Sequence, residues 1–257
     1  MDLLWKPAVI FAAAFFAGAI NSVAGGGTLV SFPALVWIGR DPILANATNA
    51  VALWPGSFAS MVGFRRQIAG SLGWILMLGA PSLLGGALGA FLLLRTPSKT
   101  FSQLVPFLIL AATLLIALQE PISRLFNRNP GDHPSPKWRA GAIAFQFLVA
   151  VYGGYFGAGI GILMLAALGL LGLSDIHRMN GLKNFFAFSI NAVASIYFVV
   201  CGKVIWGDAL LMAAGAVLGG YGGANLALRL GRKAVRAAVV AIGFLMAMSL
   251  LLIDRAS

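Results

Sequence analysis

The stretch Pro7–Gly39, PAVIFAAAFFAGAINSVAGGGTLVSFPALVWIG, carries no charged residue and is interrupted by Gly25-Gly26-Gly27. A second uncharged stretch, Ala140–Ser174, AGAIAFQFLVAVYGGYFGAGIGILMLAALGLLGLS, contains Gly153-Gly154, Gly157, Gly159 and Gly161. As single helices of 33 and 35 residues they would be about 50 Å long, whereas a bilayer core needs only about 20 residues. Each stretch therefore reads as two shorter helices joined by an irregular glycine tip. Membranes tolerate irregular backbone only where protein buries it or where it lines a watery cavity. Two such breaks at matching places in two halves point to a transporter's substrate site.

Composition agrees. The chain is 60% hydrophobic and 10% charged, against about 25% charged in a soluble domain. This is the composition of a polytopic membrane protein, with the bilayer as its first partner. The net charge of +11 sits between apolar runs and reads as loop charge. No basic run with interleaved aromatics is present, which excludes nucleic acid as a partner. Cys201, the single cysteine, cannot form an internal disulfide and is expected to be a small buried residue. Lys6 and Ala17-Gly18-Ala19 loosely resemble a signal peptide. The apolar run continues past them and has a mid-chain counterpart, so the segment reads as retained structure.

Charge-free windows mark the spans: 7–39, 43–64, 67–94 and 100–119, then 140–174, 184–202, 209–228 and 237–253. Residues 120–139 form a polar, proline-rich linker, leaving repeats at 1–119 and 140–257. Gly70 to Trp74 matches Gly202 to Trp206, and Gly85 to Ala90 matches Gly219 to Ala224. Asp41 and Asn46 match Asp175 and Asn180 at an offset of 134.

If each long stretch enters and returns to one side, loop Lys and Arg divide eleven to six. Arg65, Arg66, Arg124, Arg128, Lys137, Arg139, Arg178, Arg229, Arg232, Lys233 and Arg236 share one side. With straight spans the division is even. The hairpin arrangement leaves three crossings per half, which inverts the repeats, places the linker in the cytoplasm and puts both termini outside.

Candidate site residues follow from these breaks. A helix N-terminus offers unpaired N–H groups and partial positive charge, and glycine lets a ligand approach the backbone. Gly25, Gly26 and Gly27, with Thr28 as a capping type, form the first tip; Gly157, Gly159 and Gly161 form the second. Close helix packing is the alternative use of such glycines, and it accounts for Gly85, Gly86, Gly89, Gly219, Gly220, Gly222 and Gly223. Asn46, Thr48 and Asn49 in the first half, and Asn180, Lys183 and Asn184 in the second, form polar faces at helical spacing. These could meet a substrate, or cap helices and bond between them. Lys183 lies inside an apolar run, where a cation would favour an anionic substrate; snorkelling to the interface is its alternative. Asn191 reads as interhelical glue, and Trp54-Pro55-Gly56 as a kink.

All seven carboxylates, Asp2, Asp41, Glu120, Asp132, Asp175, Asp208 and Asp254, lie at or near loops. None is expected to be a buried proton relay or sodium ligand. With His133, His177 and one cysteine, no metal site or cofactor is expected. No Ser–His pair lies within the spans and no GxxxxGK[ST] occurs, so neither hydrolysis nor ATP use is expected, and the chain reads as no enzyme.

The run from Gly18 through Asn21, Gly25-Gly26-Gly27 and Thr28 to Leu35, then Gly39 and Ala45-Asn46-Ala47-Thr48-Asn49, resembles the TauE/SafE family of membrane transporters. Gly153 to Gly161, followed by Asn180 and Lys183, resembles the family's second repeat more loosely. The resemblance covers nearly the whole chain. It implies a bacterial inner-membrane permease, with export of sulfite or sulfonate-type anions as the best-known activity. Met179-Asn180-Gly181-Leu182-Lys183 departs from the first repeat's Ala-Asn-Ala-Thr-Asn, so the pocket need not be symmetric.

The resulting expectation is an all-α polytopic protein of two inverted repeats, each a glycine-broken hairpin plus three spans. It would move a small anion by alternating access, with no cofactor and room for a homo-oligomer. The alternatives are a membrane scaffold without transport, or an exporter of an amino acid or cation.

Overall fold

The computed structural model describes residues 5–23, 26–126, 136–173, 175–223 and 232–256. Among them every regular element is helical. In chain order these are α1 (Trp5–Val23), α2 (Thr28–Trp37), α3 (Pro42–Gly63), α4 (Leu72–Arg95), α5 (Ser98–Ala117) and α6 (Gln119–Phe126). Then follow α7 (Pro136–Tyr155), α8 (Ile160–Leu170), α9 (Ile176–Val200), α10 (Trp206–Leu218), a π-helical turn (Gly219–Gly223) and α11 (Arg232–Ala256).

Both long uncharged stretches are broken at their glycines, and each folds back on itself. The Trp5 and Trp37 rings meet edge to face at 5.9 Å, so the start of α1 lies beside the end of α2. The Trp138 indole N–H donates to Leu170 O at 2.6 Å, which ties the start of α7 to the end of α8.

Among the described residues, four stretches are long and apolar enough to cross a membrane: Leu72–Arg95, Ser98–Ala117, Ile176–Val200 and Lys233–Leu251. The outer faces of α4, α10 and α11 expose Leu76, Leu84, Leu210 and Leu245, as lipid-facing surfaces do. The expected window at 43–64 gives α3, long enough at 22 residues but made more polar by Asn46, Thr48 and Asn49. It runs through Pro55 as one helix. The window at 209–228 gives α10, which passes into the π turn where α1 presses on it. A Cβ on Gly219 would lie 1.8 Å from Phe15 O. The stretch read as linker holds α6, and α7 already begins at Pro136, a residue suited to a first helical position.

Small residues set the helix packing. On α4, a Cβ at Gly85 or Gly89 would lie 2.6 Å from Phe147 O or 2.0 Å from Val151 O, both on α7. On α10, a Cβ at Gly215 would lie 2.7 Å from Phe11 O on α1. Gly154 of α7 abuts Gly86 O as Gly18 of α1 abuts Ala216 O. Packing thus pairs Gly85 with Gly215, one helical turn before the Gly219 given by sequence matching. Gly220 has open space beside it, so packing does not explain that glycine.

α3 and α9 pack together at the centre. Asp41 Oδ1 caps α3 by accepting from the N–H groups of Ile43 and Leu44, at 3.0 and 3.1 Å. Asp175 Oδ1 caps α9 in the same way through His177 and Arg178. Trp54 and Phe188 stack with centroids 5.9 Å apart and planes at 13°. One expectation fails nearby, and one carboxylate beside a loop is also buried. Cys201 is exposed, because it stands just beyond the last turn of α9. Asp208 is buried although it lies in the first turn of α10, because Arg40 packs against it as an ion pair.

Candidate functional site: two glycine tips beside α5

Both tips come to α5. A Cβ on Gly26 would meet Ile116 Cδ1 at 2.5 Å, and one on Gly159 would meet Ala112 O at 3.5 Å. Ala112 and Ile116 are one turn apart, about 6 Å along the helix. The hairpins also touch directly, since the Phe32 and Phe156 rings meet edge to face at 5.3 Å. Asn46 Nδ2 donates to Tyr155 O at 3.0 Å, so α3 of the first half holds the end of α7 in the second.

The first tip uses up most of its own donors. Gly27, not Thr28, is the N-cap of α2, and it packs so tightly that a Cβ would lie 2.3 Å from Ala17 O. The Gly27 N–H donates to Asn21 Oδ1 at 2.8 Å. The N–H groups of Leu29, Val30 and Ser31 turn back to Gly26 O and Gly27 O. Ser31 Oγ lies 2.6 Å from Asn49 Oδ1 and 3.2 Å from Gly27 O, which joins α3 to the tip. Gly25 lies outside the described residues.

The second tip is different. Gly157 and Gly159 adopt φ of +82° and +76°, a left-handed backbone that glycine reaches without steric cost. Phe156 and Gly157 donate to Tyr152 O, and Ile162 donates to Gly159 O. Between them, the N–H groups of Ala158, Gly159, Ile160 and Gly161 have no hydrogen-bond partner among the described residues. Ala158 and Ile160 are buried. Gly159 and Gly161 are half-buried. The first N–H groups of a helix have no partner within it, and those of buried residues such as Ala158 and Ile160 favour an acceptor beside them. Lys183 of α9 runs beside them. Its Cδ lies 3.2 Å from the Cβ position of Gly161, and its Nζ donates to Asn180 Oδ1 at 3.2 Å.

The remaining candidates diverge. Thr48 Oγ1 accepts the Ile205 N–H at 3.0 Å, so it points to the start of α10. Asn180 Nδ2 donates to Ile176 O one turn back. Asn184 is half-buried on the same helix. Asn21 was not among the residues picked from sequence. The available signal was an amide in an uncharged run immediately before a break, where it needs a partner.

Broken hairpins that meet among apolar helices, with donors and one cation at the break, define a multi-pass membrane protein of transporter type. The sulfite exporter TauE/SafE family matches residues 10–250, and the chain belongs to it. A "Probable membrane transporter protein" of Haemophilus influenzae is 31% identical over 96% of this chain and 93% of its own length. The "Probable membrane transporter protein ORF9" of Sinorhizobium sp is 29% identical over 95% and 92%. The Escherichia coli "Probable membrane transporter protein YfcA" is 28% identical over 95% and 88%. No solved structure matches the chain.

Proposed function

We propose that the chain is a secondary transporter of a small anion, sulfite or a sulfonate-type acid, across the bacterial inner membrane. The observation that carries this reading is the row of unpartnered N–H groups from Ala158 to Gly161, flanked by Lys183. Backbone donors and positive charge suit an anion and repel a cation. The family's description as sulfite exporters supports the choice of anion. Alternating access would come from two inverted repeats rocking about the central α3–α9 pair. Supporting contacts lie at opposite ends of α3. The base of the first hairpin adjoins the Arg40–Asp208 pair, before α3 begins. Arg178, just beyond the base of the second, donates to Ser71 Oγ at 2.8 Å, after α3 has ended.

The test is counterflow of labelled sulfite and a panel of sulfonates in proteoliposomes. Saturable exchange is expected. Vesicles no leakier than protein-free controls for every anion would favour a scaffold instead.

A further inference from the structure

We propose that the seam between α3 and α9 is a wet path for the anion, contacted by the Trp54 indole N–H and the side chains of Asn184, Asn191 and Ser195. This rests on the anion reading above and carries the guest's contacts beyond Lys183.

Asn184, Phe188, Asn191 and Ser195 are spaced four, three and four residues apart, so they share one face of α9. Phe188 fixes which way that face looks, because its ring stacks on Trp54 and leans on Phe58, both on α3. The two helices run antiparallel. A Cβ on Gly181, near the start of α9, would lie 3.6 Å from Phe64 O, just past the end of α3. Ile205, beyond the end of α9, donates to Thr48 in the second turn of α3. Three polar side chains of α9 therefore line its seam with α3.

None of the three has a hydrogen-bond partner among the described residues. Ser195 is 1% exposed and its hydroxyl is unbonded. Ser189, on the same helix, donates to Phe185 O one turn back, a bond that Ser195 does not make. Across the seam the Trp54 Nε1 is also buried and unbonded. Asn184 and Asn191 are half-buried. Orphaned polar atoms among apolar helices are costly, and two buried ones continued by two bare amides suit water or a polar guest.

The chemistry favours an oxyanion. An indole N–H can only donate, and a serine hydroxyl can turn to donate. The seam also reaches the ammonium group. Asn180, one turn before Asn184 on the same face, accepts from Lys183 Nζ at 3.2 Å. From Lys183 to Ser195 is about 18 Å along α9. An anion leaving Lys183 thus meets its next donors along the same helix.

Trp54→Phe keeps an aromatic ring on Phe188 and removes the N–H. A purely structural tryptophan predicts unchanged flux, because the N–H has no partner to lose. Donation to the guest predicts near-wild-type melting with the KM for sulfite raised about fivefold to tenfold. Unchanged KM would overturn the proposal. A second measurement depends neither on Trp54 nor on flux. In a Cys201→Ser background, Asn191→Cys is compared with Ile196→Cys, whose side chain is exposed on the outer surface. The anionic reagent 2-sulfonatoethyl methanethiosulfonate should label Asn191→Cys faster, and methanesulfonate should slow it. Labelling no faster at Asn191→Cys than at Ile196→Cys overturns the path. Absence of sulfite and sulfonate exchange by the wild type would instead defeat the underlying anion reading, while the labelling comparison still decides whether the seam is wet.

Discussion

Arg40 and Asp208, 168 residues apart in sequence, meet through two hydrogen bonds: Nε to Oδ2 at 2.7 Å and Nη2 to Oδ1 at 3.1 Å. The pair joins the loop before α3 to the first turn of α10, and so joins the two halves. The Asp208 side chain is 10% exposed and that of Arg40 is 38%. Beside it, Asp41 accepts from Ser98 Oγ, and Thr48 from the Ile205 N–H. This end of the molecule is clamped by several polar links between segments distant in sequence.

Arg40→Ala would leave the Asp208 carboxylate buried without its partner. A fully buried pair loses about 3–5 kcal/mol on such truncation. Solvent around Arg40 lowers the expectation to about 1–3 kcal/mol. Thermal melting in detergent should show the loss, and the double exchange Arg40→Asp with Asp208→Arg should recover part of it. Equal melting for wild type and Arg40→Ala would remove the clamp.

Thr48→Val keeps the shape of the side chain and removes the acceptor for the Ile205 N–H. The half-buried, unmet donor should cost about 1 kcal/mol. Hydrogen exchange at Ile205 should quicken while the rest of α10 stays protected. Unchanged exchange there would mean that water replaces the bond without loss.

Glycine substitutions should divide sharply by position. Gly89→Ala places a Cβ 2.0 Å from Val151 O, a backbone atom that cannot swing aside. The α4–α7 contact should open at a cost of about 1–3 kcal/mol or more. Gly79→Ala meets nothing within 4 Å on the same helix and should be neutral or slightly stabilising, as alanine is in a helix. Melting of the two variants side by side checks this, and a similar loss for both would contradict the packing described.

The breaks were readable because 33 uncharged residues exceed a membrane span and glycines interrupt them. Asp41 and Asp175 stood out in the sequence only as matching positions; their place just before apolar runs is the signal that they cap α3 and α9. Long-range pairing was not. Asp208 looked like a loop carboxylate, and nothing local shows that Arg40 buries it. The one-turn shift that pairs Gly85 with Gly215 was hidden because glycines recur at several matching spacings. The second tip's unpaired donors became visible only once Tyr152 O was seen to accept from both Phe156 and Gly157. The Asn46–Asn49 segment was recognised as a unit, yet its members serve three separate neighbours: α7, the start of α10 and α2.

Lys183→Met in proteoliposomes tests the proposed anion site most directly. The substitution keeps the stem that packs on Gly161 and removes the charge together with the hydrogen bond to Asn180 Oδ1. Sulfite counterflow should fall at least tenfold with melting nearly unchanged, and Lys183→Arg should retain part of the flux. Wild-type counterflow from Lys183→Met would contradict an anion held between the ammonium group and the bare amides of Ala158 to Gly161.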